Sequence, residues 1–137
     1  MSRISQTLLS DTGDFWNAIG DPVKGAGWYS IAGGYHTVSI NVVNLRGRVF
    51  IEGTLMINPS ENDWFPISLN GTTPYIQYPI DPLNPTGLNN GDTSVLSFNF
   101  QGNFVLLRAR LNRTYILPNP PPDPYNYGKV SNILLNL

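Results

Sequence analysis

Residues 47–65 read GRVFIEGTLMINPSENDWF. Between Arg48 and Ile57 apolar and polar side chains alternate, and Glu52 lies on the polar face. Alternation with a period of two is typical of a half-buried β-strand. The strand must stop before Pro59, because proline has no N–H to donate to a sheet. The segment therefore predicts one long strand, followed by a turn and two large aromatic residues.

Further strands flank this one on both sides. They are predicted in the segments 4–10, 28–31, 35–43, 94–100, 103–111 and 129–137. The link Leu45-Arg46-Gly47 is short enough to predict an antiparallel hairpin between the strands at 35–43 and 48–57. Asn70-Gly71 suits a tight turn with positive φ and predicts a second hairpin. Gln101-Gly102 separates a third pair of strands.

Prolines define the irregular parts of the chain. Residues 72–79 are bounded by two prolines, which predicts an edge position in a sheet. Residues 80–92 show no periodicity and predict a long surface loop. Residues 118–124 read PNPPPDP. Because each proline ring restricts φ, this segment predicts an extended, polyproline II-like arm over residues 118–127.

The composition favours a single all-β domain. A chain of 137 residues is long enough for one hydrophobic core and short for two. Its 13 glycines and 12 prolines make it rich in turn formers. We therefore expect one domain over residues 1–137, an antiparallel two-sheet sandwich of jelly-roll type with about eight or nine strands.

The charge composition argues against several classes of partner. Charged residues make up 12% of the chain and the net charge is −1, without the basic stripe that nucleic-acid binding needs. No apolar run reaches the roughly 18 residues of a membrane-spanning helix, and the first residues do not resemble a secretion signal. Cysteine is absent, which removes disulfides, thiolate nucleophiles and thiolate metal sites. We expect neither nucleic-acid binding nor membrane insertion.

Residues suited to catalysis are few. His36 is the single histidine, and no Gly-x-Ser-x-Gly motif supports a serine nucleophile. Glu52 and Glu61 could flank a cleft as in a glycosidase, and the oxygen-rich segments 61–63 and 89–92 could hold calcium. We favour a structural His36 and turns that hydrogen-bond their own backbone. No catalytic residue, metal or cofactor is therefore expected.

Arg108 and Arg110 share one face of the strand predicted at 103–111. Charged side chains on a strand are usually solvated, so the favoured interpretation is an exposed stripe. The alternative is an ion pair with Glu52 on a neighbouring strand, or with another subunit.

Aromatic residues give the strongest argument for binding. Tyrosines next to prolines suit protein interfaces, because they offer a large rigid contact area at small entropic cost. Exposed rings also stack on sugars, and the sequence leaves both options open. The candidate interaction residues are Tyr75, Tyr78, Tyr115, Pro121, Tyr125 and Tyr127. Trp28, Trp64, Phe65 and Phe98 are assigned to the core.

Five segments form a further pattern: GGYHTVSI at 33–40, GRVFIEGTL at 47–55, DWFPI at 63–67, FNFQGNFVLLRAR at 98–110 and GKVSNIL at 128–134. Together they resemble small β-sandwich virion proteins of tailed bacteriophages. The resemblance implies a head decoration, a baseplate or neck part, or a fibre-associated domain, and it implies no catalytic residues. The arm at 118–124 and the loop at 80–92 depart from the pattern.

The sequence thus predicts a non-enzymatic structural protein located in a virion, which docks on other virion proteins through its loops and the arm at 118–127. Homo-oligomeric or multi-copy assembly is expected. The alternative is a carbohydrate-binding module that attaches the particle to a host glycan. A carboxylate hydrolase remains a third hypothesis, which requires an open cleft beside Glu52.

Overall fold

The computed structural model describes residues 4–137, and most of its regular structure is β-strand. The strands are β1 (Ser5–Leu9), β2 (Ala18–Ile19), β3 (Val23–Lys24), β4 (Tyr35–Leu45), β5 (Gly47–Thr54), β6 (Phe65–Ile67), β7 (Ile76–Tyr78), β8 (Asp92–Gln101), β9 (Leu106–Asn112) and β10 (Lys129–Asn136). A four-residue helix, α1 (Ala26–Tyr29), and two 3-10 turns (Glu61–Asp63 and Pro124–Tyr127) complete the elements. Within residues 4–137 no helix is long and apolar enough to cross a membrane.

The strands form two antiparallel sheets. The first has the order β1-β10-β4-β8. In the second, β9 and β5 pair at the centre. Strands β2 and β3 follow one another along the outer side of β9, and β6 and β7 do the same along β5. Since each of these short pairs acts as one interrupted strand, the second sheet is also four strands wide.

The pairing is nested from the ends of the chain inward. β1 pairs with β10, β2 and β3 with β9, β4 with β8, and β5 with β6 and β7. Nested pairs that alternate between two packed sheets make a jelly roll. The predicted fold class, an all-β antiparallel sandwich of jelly-roll type, is confirmed.

The hydrophobic core fills the space between the sheets. Every second residue of the central strands points into it, as the alternation predicts. The fully buried apolar side chains include Val38, Ile40 and Val42 of β4, Val49 and Ile51 of β5, Leu107, Ala109 and Leu111 of β9, and Val130, Ile133 and Leu135 of β10. The intervening residues of β5 and β9 consequently point outward, and they build the surface described below.

Two of the predicted strand pairings are wrong. β4 and β5 are separated only by Arg46 yet lie in different sheets, and so do β8 and β9. Asn44 has a φ of 51° and Leu45 is fully buried. Asn44 lies in the register shift between Val42 and Leu45, and Leu45 still pairs with Asp92 of β8 in the first sheet. Arg46 alone then carries the chain to the second sheet, so both strands bury their apolar faces in the core between the sheets.

Asn70-Gly71 forms a turn but not a hairpin. Because β6 and β7 both pair with β5, residues 68–75 are a loop that leaves one edge strand and rejoins it. Gly71 has a φ of 77°, and Asn70 Oδ1 accepts hydrogen bonds from the N–H groups of Thr72 and Thr73, both at 3.0 Å. The predicted edge position of residues 72–79 holds for β7.

The long strand predicted at 48–57 ends at Thr54. Thr54 Oγ1 accepts a hydrogen bond from the N–H of Met56 at 3.1 Å, which turns the chain away from the sheet. Residues 55–57 are exposed as a result. Residues 28–31, predicted as a strand, contain the end of helix α1 instead, and Trp28 and Phe65 are more than a third exposed where the sequence placed them in the core.

Candidate functional site

The outer face of the second sheet carries arginines stacked on aromatic rings. Arg48, Phe50 and Glu52 point outward from β5, and Arg108 and Arg110 point outward from β9. We call this surface, together with the rings of Trp64, Tyr75 and Tyr115 that cover it, the arginine face. Every arginine within residues 4–137 has an aromatic ring within 5.1 Å of its guanidinium carbon.

Glu52 is the centre of the charge network on this face. Its carboxylate contacts Arg108 Nε at 2.8 Å and Arg110 Nη2 at 3.3 Å. The side chains of Glu52 and Arg108 are only 7% and 8% exposed. The favoured interpretation of Arg108 and Arg110 as a solvated stripe is therefore wrong, and the alternative, an ion pair with Glu52, is confirmed. β5 and β9 place Glu52 directly opposite Arg108.

Glu61 and Trp64 close the network from the loop that follows β5. Arg108 Nη1 and Nη2 donate to the two Glu61 carboxylate oxygens at 3.1 and 3.0 Å. Trp64 stacks on the same guanidinium at 4.3 Å. Hydrogen bonds from Arg108 lower the pKa of Glu61, and those same bonds raise the pKa of Arg108 against the effect of burial. Glu52 and Glu61 are thus bound to one arginine rather than arranged across a cleft as general acid and base.

Arg48 is held between Tyr75 and Tyr115. Its guanidinium carbon lies 4.4 Å from the Tyr75 ring and 4.0 Å from the Tyr115 ring. Arg48 Nε donates to Gln77 Oε1 at 3.1 Å. Two of the predicted interaction residues are therefore brought together, and each presents a ring face to an arginine. That arrangement leaves less ring surface for stacking on a sugar.

A groove of about 510 Å³ borders the arginine face. Its lining combines the polar residues Asp21, Asn58, Glu61 and Arg108 with Trp64 and with the apolar residues Ile19, Pro22, Ile57, Pro59 and Leu106. An apolar lining with a few hydrogen-bonding groups is typical of ligand sites.

Tyr78 is not available for interaction. It is 1% exposed and packs in the core at the end of β7. Burial raises the pKa of Tyr78, and the negative charge of Asp92 adds to the rise. The alternation of β7 explains the correction: Ile76 and Tyr78 point inward, and only Gln77 between them points outward.

The other predicted interaction residues lie at one end of the sandwich. This proline-rich end consists of the loops at 10–17, 79–91 and 113–128 and the link at Arg46. Several contacts join them. Arg46 stacks on Tyr127 at 4.6 Å, Tyr127 meets Trp16 edge-to-face at 5.1 Å, and Trp16 Nε1 donates to Asn119 Oδ1 at 2.6 Å.

The arm at 118–127 is folded onto this end, which corrects the prediction of an extended arm. Pro121 is buried, so it is not available for docking. The 3-10 turn at Pro124–Tyr127 ends the arm, and Tyr125 is 62% exposed on it. Proline fixes the local φ but not the direction of the whole segment, and Trp16 and Arg46 supply the stacking surfaces that fold it back.

Arg113 anchors the base of the same loop. It is 1% exposed, and its Nη2 donates to the Gly128 carbonyl oxygen at 2.8 Å. Burial lowers the pKa of Arg113 to about 10, so the side chain is charged at neutral pH. Its ring partner is Trp16, at 5.1 Å. Arg113, which follows β9 directly, is thus hydrogen-bonded to the residue that precedes β10.

Large apolar side chains are exposed at both ends of the molecule. At the proline-rich end these residues are Phe15, Ile80, Leu83, Leu88, Leu117 and Tyr125. At the opposite end, formed by the loops at 25–34, 55–64 and 102–105, they are Trp28, Tyr29, Ile31, Leu55, Met56 and Ile57. Leu83 and Leu117 are the extremes, at 89% and 81% exposed.

His36 lies in the core beneath α1. It is 1% exposed, its ring stacks on Phe100 at 4.8 Å, and its Nε2 accepts a hydrogen bond from the N–H of Ala26 at 3.1 Å. Burial lowers the pKa of His36. No group of three or more histidine and carboxylate side chains within residues 4–137 is placed to hold a metal ion. The geometry agrees with a structural role for His36.

No protein-family model, curated protein or solved structure matches this chain.

Sequence reasoning missed the aromatic partners of the arginines, and it ranked the ion pair with Glu52 below an exposed stripe. Arg48 and Tyr115 are far apart in sequence, and only the pairing of β5 with β9 and β7 brings Tyr75 and Tyr115 to its two sides. The sequence signal for the ion pair was Glu52, the one acidic residue between Arg48 and Ile57. A carboxylate on a strand needs a cationic neighbour when other residues bury it.

Proposed function

We propose that this protein is a non-enzymatic structural component of a tailed-phage virion, which docks on neighbouring virion subunits. The observation that supports it most is the exposure of large apolar side chains at the proline-rich end. Clustered exposed apolar surface marks contact sites between proteins, whereas single exposed residues do not. Phe15, Leu88 and Leu117 come from three different loops of that end, and each of the three is at least 70% exposed.

The loops of this end are held in place by hydrogen bonds. Asp92 accepts the N–H groups of Ile80 at 2.7 Å and Thr86 at 3.0 Å. Asn44 Oδ1 accepts the N–H of Leu88 at 2.8 Å. A loop that is ordered before binding loses less conformational entropy when a partner covers it. The end is therefore suited to docking as a preformed surface.

The proposal is tested by replacing Leu83, Leu88 and Leu117 together with serine and measuring incorporation into particles by quantitative mass spectrometry. The three side chains are at least 70% exposed, so the variant is expected to fold as the wild type does. We expect incorporation to fall by about tenfold or more, since removing even one or two interface anchors costs that much affinity.

The matched control is Leu134→Ser, which replaces an exposed leucine on β10 outside both loop ends. It is expected to leave incorporation unchanged. Normal incorporation of the triple variant, or absence of the wild-type protein from particles, would contradict the proposal.

Carbohydrate binding for host attachment is the second candidate. The groove that Trp64 and Asn58 line favours it, together with the 62% exposure of Tyr125. Binding on a glycan array that is lost in Trp64→Ala or Tyr125→Ala, while incorporation into particles stays normal, would favour this function over a purely structural one.

A further inference from the structure

Strand β8 is an edge strand without the usual protection. It runs for ten residues from Asp92 to Gln101 and pairs only with β4. In an antiparallel pair every second residue directs its N–H and C=O away from the partner. β8 therefore presents a row of backbone donors and acceptors at the margin of the first sheet, except at Thr93, whose N–H and C=O are hydrogen-bonded to Thr86 Oγ1.

The other three sheet edges are protected. β1 is five residues long with a register shift between Thr7 and Leu9. β2 and β3 have two residues each, separated by a segment that contains Pro22. β6 and β7 have three residues each, with Pro66 inside β6. Short strands, prolines and bulges are the devices that prevent an edge from pairing with another chain.

Between Ser94 and Gln101 β8 has none of these devices, and the register shift of the β4–β8 pair lies before this segment, between Val42 and Leu45. Its register with β4 is regular from Gln101 opposite Tyr35 to Ser94 opposite Val42. Residues 93–101 read TSVLSFNFQ, without a charge or a proline. The outward-facing side chains of this segment belong to Thr93, Val95, Ser97, Asn99 and Gln101, and Val95 is 64% exposed.

A groove of about 440 Å³ lies against the free edge. It is lined by the consecutive residues Leu96, Ser97 and Phe98, and by Ile76 and Ile80. Consecutive residues of a strand point to opposite faces, so a groove that reaches all three lies beside the edge and not over one face. The polar residues Asn70, Thr73 and Gln77 also line it, so the groove offers both apolar and hydrogen-bonding contacts to a strand added to β8.

We propose that β8 pairs with β8 of a second copy of this chain, antiparallel about a two-fold axis at Ser97. A two-fold axis perpendicular to the sheet keeps each residue on the same face, so residue 97 lies opposite itself and Leu96 lies opposite Phe98 of the partner subunit. Leucine–phenylalanine pairs stabilise neighbouring strands. The uncharged segment brings no like charges together, and a two-fold contact closes without forming a filament.

This inference deepens the proposed function. The pairing itself can be measured on the isolated protein, and only its role within a particle rests on the proposed function. It would join the first sheets of two subunits into one continuous sheet, and leave the proline-rich ends of both free for other partners.

Single-cysteine variants test the pairing in a chain that has no cysteine of its own. Ser97→Cys is expected to form a disulfide-linked dimer under mild oxidation, since paired cysteines need Cα atoms about 4.4–6.8 Å apart. Val95→Cys would place its two thiols about 14 Å apart, four residues along the strand, and is expected to crosslink about tenfold more slowly. Thr7→Cys, on the edge strand β1, is the matched control.

Sedimentation equilibrium of the cysteine-free protein gives the second readout. We expect a dimer of the 15.2 kDa chain, which Ser97→Lys converts to monomer and Thr7→Lys does not. Any of three results would overturn the inference. These are a monomer at all concentrations, a dimer that survives Ser97→Lys, and equal crosslinking of Ser97→Cys and Thr7→Cys. Incorporation of Ser97→Lys into particles separates the two questions: if this variant is monomeric and is incorporated normally, docking through the proline-rich end does not need the β8 dimer.

Discussion

Replacement of Glu52 by alanine is expected to lower the free energy of unfolding by about 2–4 kcal/mol. Breaking a buried ion pair by removing one partner costs about 3–5 kcal/mol, because the other charge is left uncompensated. Arg108 would be that charge, with a side chain 8% exposed. It would keep its two hydrogen bonds to Glu61, and this remaining partner places the expected loss below the top of that range.

The loss is measured by urea unfolding and by thermal unfolding, both followed by circular dichroism. At about 4 °C for each kcal/mol in a domain of this size, the melting temperature should fall by about 8–16 °C. Glu61→Ala is the matched control. Its side chain is 80% exposed, and exposed ion pairs contribute little because water screens them, so its midpoint should stay close to that of the wild type.

A double variant checks the cause of the loss. Glu52→Met with Arg108→Leu removes both buried charges and should recover most of the stability, since apolar replacements of a buried pair are often neutral. The reasoning fails if Glu52→Ala unfolds at the wild-type urea midpoint, or if Glu61→Ala is the more damaging of the two.

Two further predictions concern groups away from the arginine face. Burial lowers the pKa of His36 below its ordinary 6.5, so the unfolded chain binds the proton first. The free energy of unfolding should therefore decrease as the pH falls from about 6.5 toward 5, by at most about 1.4 kcal/mol per pH unit. Urea midpoints measured between pH 7.5 and 5 check it, and an equal slope in His36→Gln would contradict it. Asp92→Ala leaves the N–H groups of Ile80 and Thr86 without their acceptor and should cost about 2–3 kcal/mol. Chymotrypsin should then cleave the loop at 80–91 faster than in the wild type, and unchanged cleavage would count against an anchoring role for Asp92.

The sequence predicts the faces of the strands well. Alternation places Val38, Ile40, Val49, Leu107 and Leu111 on the inner faces of β4, β5 and β9, and all five are buried, whereas Leu55 and Ile57, expected on the same face as Val49, are exposed beyond the end of β5. Alternation with a period of two arises whenever one face of a strand is buried and the other is not. Every strand in a two-sheet sandwich meets that condition, whichever strand it pairs with. The fold class followed from these faces together with the turn-rich composition.

The partners of the strands could not be read in the same way. A short link predicts proximity of two strands, but a hairpin and a crossing between sheets need equally few residues. The change of sheet takes place at Arg46, after Leu45 has paired with Asp92 in the first sheet, and the residue types of the link do not distinguish the two outcomes. The assignment of β4 and β5 to different sheets is therefore a property of the packed core.

The candidate surfaces were predicted only in part. Tyr75, Tyr115 and Tyr125 reach the surface, but Tyr78 and Pro121 are buried. Proline next to a tyrosine indicates irregular backbone and says nothing about which ring points inward. Arg108 and Arg110 were assigned to solvent because they lie on the face of β9 that points away from the core. On that face both arginines pair with Glu52 of the adjacent strand.

The central position of β10 affects the order in which the molecule can assemble during synthesis. β10 lies between β1 and β4, so β1 has no neighbour in its sheet until β10 has been synthesised. Contacts between residues so distant in sequence form slowly. A nascent chain would therefore hold β1, and the edge of β4 that pairs with β10, without their partner until β10 emerges.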